Sequence, residues 1–293
     1  SFHAIINSWQ EVLFRLLNYA VGLFTKDFHW FLCIVAIIEL LPVAYLYNQD
    51  KRKGYIKMIL FVNMSTFILL FSGIRQSMAI SFGVLAFDAL KRNKKFFFLM
   101  WAVFATLMHN SGFMVFFIYF LFNIRLKKKH LLVIVPSIVL VLVFNQPIFL
   151  FLTSIVAETY EKYNTVITFT GAYGSLILFV LFALFSYLIT DERRMDMEAY
   201  ALRNILLMAV LLQCFAPLHN LAMRMNYYFI IFIPLAIGKS LTIPKLKYSH
   251  VARWGEVVMG VFFTFLFCYS TYISFRTGVS TLDTIPYVPF WSE

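Results

Sequence analysis

The chain has 293 residues, of which 61% are hydrophobic and 13% charged, with 35 Phe, a formal net charge of +11 and a mean hydropathy of +0.80. No water-soluble fold of this size buries so much apolar surface, and a membrane β-barrel would alternate apolar and polar residues where these runs are continuous. The basic residues are confined to short loops between apolar runs, so a positive-inside topology accounts for the charge and nucleic acid is excluded as a partner. The fold class that follows is all-α, a polytopic transmembrane helical protein. Cys33, Cys214 and Cys268 stand singly in apolar runs, without metal-ligand spacing and without a disulfide framework.

The chain opens on Ser1, not Met, and shows no signal-peptide pattern, so a preceding segment holding a first span is expected. Residues 1–27 form an outer amphipathic segment, with Val12, Leu13, Leu16, Leu17 and Ala20 at helical spacing. Phe28 to Tyr47 is a span leading to the inner loop Asn48–Lys53. Tyr55 to Ser72 goes out, Gly73–Ser77 is a polar corner, and Met78 to Leu90 returns to the basic cluster at Lys91. The stretch Phe96 to Asn123 is apolar except at His109-Asn110-Ser111-Gly112 in its middle, and basic clusters flank it. It therefore enters, turns at the polar centre and comes back.

Leu131 to Asn145 goes out, with Pro136 tolerated as a kink, and 146–174 is an outer loop. Ser175 to Thr190 returns to a charged inner loop, Asp191 to Arg203. Asn204 to Ala216 goes out, Pro217–Arg224 is a third polar corner, and Met225 to Leu241 returns to the basic loop Pro244–Arg253. Glu256 to Phe275 is the last span, followed by an outer tail, 276–293. The sum is about ten spans, several shorter than the roughly 20 residues a straight span needs, so broken or short helix pairs joined at outer-face corners are expected. The whole is read as one integral membrane domain, 1–293.

Of the 25 Lys and Arg residues, only Arg15, Lys26, Arg75, Lys162, Arg224 and Arg276 fall on the outer side. Ionisable groups at membrane depth are costly and usually functional. The corners Arg75-Gln76, His109-Asn110-Ser111 and His219–Arg224 face the same side, which suggests a wet cationic cavity open to the exterior. Such a cavity suits an anionic ligand, because Arg binds phosphate or carboxylate in a bidentate fork.

Gly73-Ile74-Arg75-Gln76-Ser77-Met78-Ala79, Lys94-Lys95 running into His109-Asn110-Ser111, and Arg224-Met225-Asn226-Tyr227-Tyr228 occur in an order and spacing that resemble the EpsG family of exopolysaccharide and capsule polymerases. Trp9-Gln10-Glu11-Val12-Leu13-Phe14 resembles that family's Glu-containing segment before a span. The family in turn resembles the Wzy-type O-antigen polymerases. The resemblance implies a GT-C-like or Wzy-like membrane glycosyltransferase of the bacterial cytoplasmic membrane with its active face outward. A glycan on undecaprenyl pyrophosphate would be transferred to a hydroxyl of the next lipid-linked repeat unit. Donor and acceptor are thus the lipid-linked oligosaccharide, with membrane lipids and a chain-length regulator or flippase as partners.

In that chemistry Arg75 and Arg224 neutralise the pyrophosphate. His109 is the candidate general base. Gln76, Asn110, His219 and Tyr228 are candidate sugar or phosphate ligands, and Glu11 an alternative base or sugar ligand. The family's upstream Arg and Asp-Tyr loop fall before Ser1. Each residue has a plainer reading. Arg75 and Arg224 fit snorkelling interfacial side chains, His109 a helix break satisfied by a carbonyl, His219 a loop residue after Pro217, and Glu11 a solvated helix position. Glu39 fits a buried polar tie, and Glu158, Glu161 and Lys162 fit loop charge.

Asp196-Met197-Glu198 resembles a nucleotide-sugar metal site but lies among Asp191, Glu192, Arg193 and Arg194, which fits a solvated charged loop. No Gly-rich phosphate loop, Cys/His cluster or Gly-x-Ser-x-Gly elbow occurs, so the enzyme is expected to need neither a cofactor nor a metal. A flippase or transporter of the lipid-linked glycan and a membrane acyltransferase that modifies surface glycans remain the alternatives.

Overall fold

The computed structural model describes residues 11–155 and 172–277, and every regular element among them is helical. Trp9 and Gln10, the loop charges Glu158, Glu161 and Lys162, and the tail beyond Thr277 lie outside the described residues. The chain divides into two compact units, one of Ser1–Val115 with Ser249–Glu293 and one of Phe116–Tyr248.

The first unit holds α1 (Val12–Phe24), α2 (Phe28–Asn48), α3 (Gly54–Asn63), α4 (Ser65–Ser72), α5 (Ile74–Lys91), α6 (Lys95–Met108) and a 3-10 turn, Asn110–Met114. The chain crosses into the second unit with α7 (Val115–Asn123), followed by α8 (Leu131–Val143), α9 (Asn145–Ile155), α10 (Tyr173–Ile189), α11 (Met197–Gln213), α12 (Asn220–Ile230) and α13 (Ile233–Thr242). It returns to the first unit with α14 (Ser249–Thr277).

In the first unit α5 is the core helix, buried at nearly every position from Gln76 to Leu90 and packed against α2 and α6. Gly83 on α5 lets the start of α7 come close as well: a side chain there would meet Val115 Cγ2 at 3.0 Å. The Ser81 hydroxyl donates to Glu39 O at 2.6 Å, tying α5 to α2. The C-terminal ends of α2 and α5 are tied at Asp88, with Gln49 Nε2 donating to Asp88 Oδ1 at 2.5 Å and Arg92 Nε lying 2.8 Å from Asp88 Oδ2. The expected span Tyr55–Ser72 is two helices, because the chain turns extended at Met64, between α3 and α4. Asn63 sits at that break, and its amide donates to Ile59 O at 2.8 Å and to Phe263 O of α14 at 3.1 Å.

The second unit corrects the expected charged loop 191–203. Helix α11 begins at Met197, where the Asp196 side chain caps it by accepting from Ala199 N at 2.8 Å. Asp196 and Glu198 both pair with Lys239 Nζ, at 2.8 and 2.9 Å, so the Asp-x-Glu stretch is an ion-paired tie to α13 and not a solvated loop. Burial opposes the charged form of Asp196, yet Lys239 and the Ala199 amide hold its carboxyl below the usual range.

Arg203 is 2% exposed. Its Nη2 donates to Leu126 O at 2.7 Å and Glu192 Oε1 at 2.9 Å, and its guanidinium lies 4.0 Å from the centre of the Tyr187 ring. Beside it, Asn204 Nδ2 donates to Leu121 O at 2.8 Å and Ile124 O at 2.7 Å, which satisfies carbonyls at the end of α7. The expected outer loop 146–174 opens with helix α9.

By length and composition three helical stretches among the described residues are able to cross a membrane: Phe28–Asn48, Asn220–Thr242 and Leu246–Thr277. The pair Lys128–Val143 and Asn145–Leu152, bent by 80°, would make a fourth if it acts as one span. The other apolar helices, such as Gly54–Asn63, Lys95–Met108 and Tyr173–Ile189, have 10–17 residues. Helix length therefore does not reach the expected count of about ten, since a straight span takes roughly 20 residues.

Candidate functional site

The polar centre of the Phe96–Asn123 stretch folds as a tight reversal. Helix α6 ends where His109 turns extended, and the 3-10 turn that follows doubles back onto α6. Gly112 makes this fit possible, because a Cβ there would lie 2.1 Å from Ala105 O and 2.6 Å from Thr106 N. The reversal is closed by His109 N donating to Ala105 O at 3.0 Å and Gly112 N donating to His109 O at 2.7 Å. His109 and the Asn110 amide are thereby fixed at the tip.

Helix α1 packs against α6 and brings Glu11, its N-cap residue, to that tip. Glu11 Oε1 lies 3.3 Å from His109 Nδ1 and accepts from Asn110 N at 3.4 Å. Glu11 Oε2 accepts from Arg75 Nη1. The carboxylate, with a side-chain exposure of 10%, is the most enclosed member of the group, against 24% for His109 and 29% for Arg75. The Arg75 guanidinium also lies over the Phe14 ring, at 5.9 Å.

Arg75 occupies the first turn of α5, where a cation opposes the helix dipole. An anion is favoured there, and the backbone amide at the start of the 3-10 turn points to the same spot. Glu11 supplies that anion within the fold. The arrangement thus presents a guanidinium, an imidazole and a carboxylate on three different elements of one unit.

Glu11, Arg75, His109 and Asn110 are brought together, and Gln76 follows Arg75 as a buried residue of α5. Arg224, His219 and Tyr228 belong to the second unit. There His219 is the N-cap of α12, its Nδ1 accepting from Leu221 N at 3.0 Å, and its ring stacks on Phe149 at 6.0 Å. Burial and then the charge of Arg224 hold the His219 imidazole below its ordinary pKa. Arg224 is exposed on α12, whereas Tyr228, one turn on, is 1% exposed. Asn226 between them is a structural tie, donating to Ala209 O at 3.0 Å and Gln213 Oε1 at 2.8 Å.

Sequence reasoning ranked Glu11 as a secondary candidate. Its central place depends on the docking of α1 on α6, which no local pattern announces. The available signal was a carboxylate at the start of an amphipathic helix, in a segment expected on the same side as the polar corners of Arg75 and His109. Among the described residues no group of three or more His, Cys, Asp or Glu side chains converges as a metal site would.

No curated protein and no solved structure matches the chain. The sequence profile of the EpsG family matches it over residues 2–290, nearly its whole length. The chain belongs to the EpsG family.

Proposed function

We propose that this EpsG-family chain is a polysaccharide polymerase, a membrane glycosyltransferase that joins undecaprenyl-pyrophosphate-linked repeat units on the outer face of the cytoplasmic membrane. Family membership points to an exopolysaccharide-related polymerase. The observation that carries the finer reading is the single carboxylate of Glu11 joined to Arg75, His109 and the Asn110 amide.

Glycosyl transfer from a lipid pyrophosphate needs a base for the attacking hydroxyl and positive charge for the leaving group. His109 Nδ1 lies 3.3 Å from Glu11 Oε1, and with the ring proton on Nδ1 the lone pair of Nε2 accepts the proton of the acceptor hydroxyl. Glu11 holds the ring in orientation and faces the positive charge it gains, as the carboxylate of a catalytic triad does. The acceptor oxygen bonds to the anomeric carbon as the bond from that carbon to the pyrophosphate oxygen breaks. The electron pair leaves with undecaprenyl pyrophosphate.

Arg75 exchanges one carboxylate contact for a phosphate contact and offsets the developing charge, so no metal is required. Arg224 and His219 serve as a second cationic and hydrogen-bonding patch for the lipid-linked glycan. The short helices work as half-spans joined at polar corners, which gives about ten passes. A chain-length regulator or flippase would act as partner.

Purified protein in nanodiscs, given only its lipid-linked repeat unit and EDTA, with no nucleotide sugar, tests this reading. A ladder of longer lipid-linked glycans supports it. Movement of the unit between liposome leaflets without a ladder would replace it with a flippase.

A further inference from the structure

The basic end of the second unit is built from three separate stretches of chain. Lys245 N donates to Ile189 O at 2.7 Å and Asp191 N to Ile243 O at 3.0 Å, so the segments that follow α10 and α13 lie side by side. Lys128 N donates to Glu192 Oε1 at 2.8 Å, and Arg203 Nη2 to Leu126 O at 2.7 Å, which fastens the stretch before α8 to the same place. Bonds from the backbone thus fix the positions from which the side chains of Lys128 and Lys245 start.

Like charges meet there. Burial and then the adjoining Lys245 ammonium act against the charged form of Lys128, Arg203 adds to this, and Glu192 favours it. The Glu192 carboxylate is already engaged by Arg203 Nη2 at 2.9 Å. Asp191 accepts from Arg193 N at 3.1 Å, and Asp196 and Glu198 are held by Lys239. Lys128 Nζ makes a long contact with Leu188 O, at 3.4 Å. The Lys245 and Lys247 ammonium groups lie 5.8 and 5.7 Å from the centre of the Tyr248 ring, which gathers a third cation beside the pair. Lys128 and Lys245 are both partly exposed, whereas Arg203 is enclosed and contributes its field from behind.

We propose that Lys128 and Lys245 together bind a phosphate group, supplied by an anionic lipid headgroup or by a soluble phosphate. A phosphate carries several acceptor oxygens, so one group accepts from both ammonium groups and removes the repulsion between them. The positive-inside rule puts these basic stretches at the cytoplasmic leaflet, where anionic headgroups concentrate. Apolar surface continues from the lysines, with Leu246 92% and Leu132 82% exposed, so a headgroup held there has a place for its acyl chains. The site is separate from the polymerase reading and stands or falls without it.

Amine labelling of the full chain in detergent, read at each lysine by mass spectrometry, tests the proposal. The probes are phosphatidylglycerol, phosphatidylcholine of identical acyl chains, inorganic phosphate, and chloride at matched ionic strength. Lys128 and Lys245 are expected to be protected together while Lys129 is not. Protection by phosphatidylglycerol and not by inorganic phosphate identifies the lipid as the source, and protection by inorganic phosphate the soluble group. Lys245→Gln should raise the concentration that protects Lys128 about tenfold, the weight of a hydrogen bond to a charged group, and Lys128→Gln should do the same at Lys245. Lys129→Gln removes the same charge from an exposed neighbouring position and should leave protection within twofold of wild type. Absence of protection by phosphatidylglycerol and inorganic phosphate alike, equal protection by phosphatidylcholine or chloride, or an equal loss in Lys129→Gln would each overturn the proposal.

Discussion

Glu11 Oε1 lies 3.3 Å from His109 Nδ1, joining the start of α1 to the tip of the reversal after α6. The carboxylate connects Arg75, His109 and the Asn110 amide. Glu11→Gln keeps the size of the side chain but removes the charge that orients the ring and answers the guanidinium. Turnover of the lipid-linked repeat unit should fall about 10²- to 10⁴-fold, the range of general acid–base assistance. Initial rates from the ladder assay, run beside a thermal unfolding curve, check this. Rates within twofold of wild type in a folded variant would remove Glu11 from the mechanism.

Gly112 tests the reversal itself. Its missing side chain leaves room for Ala105 O at 2.1 Å from where a Cβ would stand, and a backbone oxygen cannot swing aside as a side chain can. Gly112→Ala should destabilise the protein by about 3 kcal/mol or more, beyond the usual cost of overpacking, and should displace His109 with it. Gly22→Ala is the control, because nothing lies within 4 Å of a Cβ there and the residue sits inside helix α1. It should stabilise by about 0.5–1 kcal/mol. Detergent-phase thermal shifts of opposite sign are the expected result.

The polar corners were legible because a membrane core makes every interruption conspicuous. Arg75, His109 and His219 each break an apolar run, and each proves to lie at a helix end. The break at Met64 carried only a weak signal, the uncharged polar residues Asn63, Ser65 and Thr66 with no Pro or charge among them, and it is the extended backbone at Met64 that divides α3 from α4. Arg203 was read as loop because its surroundings are charged. Its burial depends on Tyr200 one turn back on its own helix and on the Tyr187 ring, the Glu192 carboxylate and the Leu126 carbonyl from outside that helix. The same holds for Glu11: local pattern shows that a carboxylate is available, and only tertiary packing shows which cations it meets.

Arg203 and Glu192 form an enclosed ion pair in the second unit, at 2.9 Å. Truncating one partner of a buried pair leaves the other unmatched and typically costs about 3–5 kcal/mol; the 23% exposure of Glu192 argues for the lower end. Arg203→Met should therefore lower stability by about 3 kcal/mol, and adding Glu192→Gln should restore part of it. A double-mutant cycle on thermal unfolding measures the coupling. Strictly additive losses would show that the pair contributes nothing of its own.

His219 gives the second unit a pH dependence of defined sign. Burial, followed by the charge of Arg224, lowers its pKa from the usual 6.5, and its neutral Nδ1 caps α12 by accepting from Leu221 N. A histidine whose folded pKa is depressed contributes in full above the unfolded value. That contribution is lost as pH falls below 6.5 towards the folded pKa, because the unfolded chain takes up the proton first. His219→Asn keeps a capping side chain and does not titrate. Near neutrality the variant should unfold close to wild type, whereas His219→Ala should lose about 1 kcal/mol with the cap. Below pH 6.5 the wild type should lose stability faster than His219→Asn, so that two proteins of similar stability near neutrality separate, with the variant the more stable. Parallel losses for the two proteins down to about pH 5 would mean that His219 takes up its proton equally in the folded and unfolded chain.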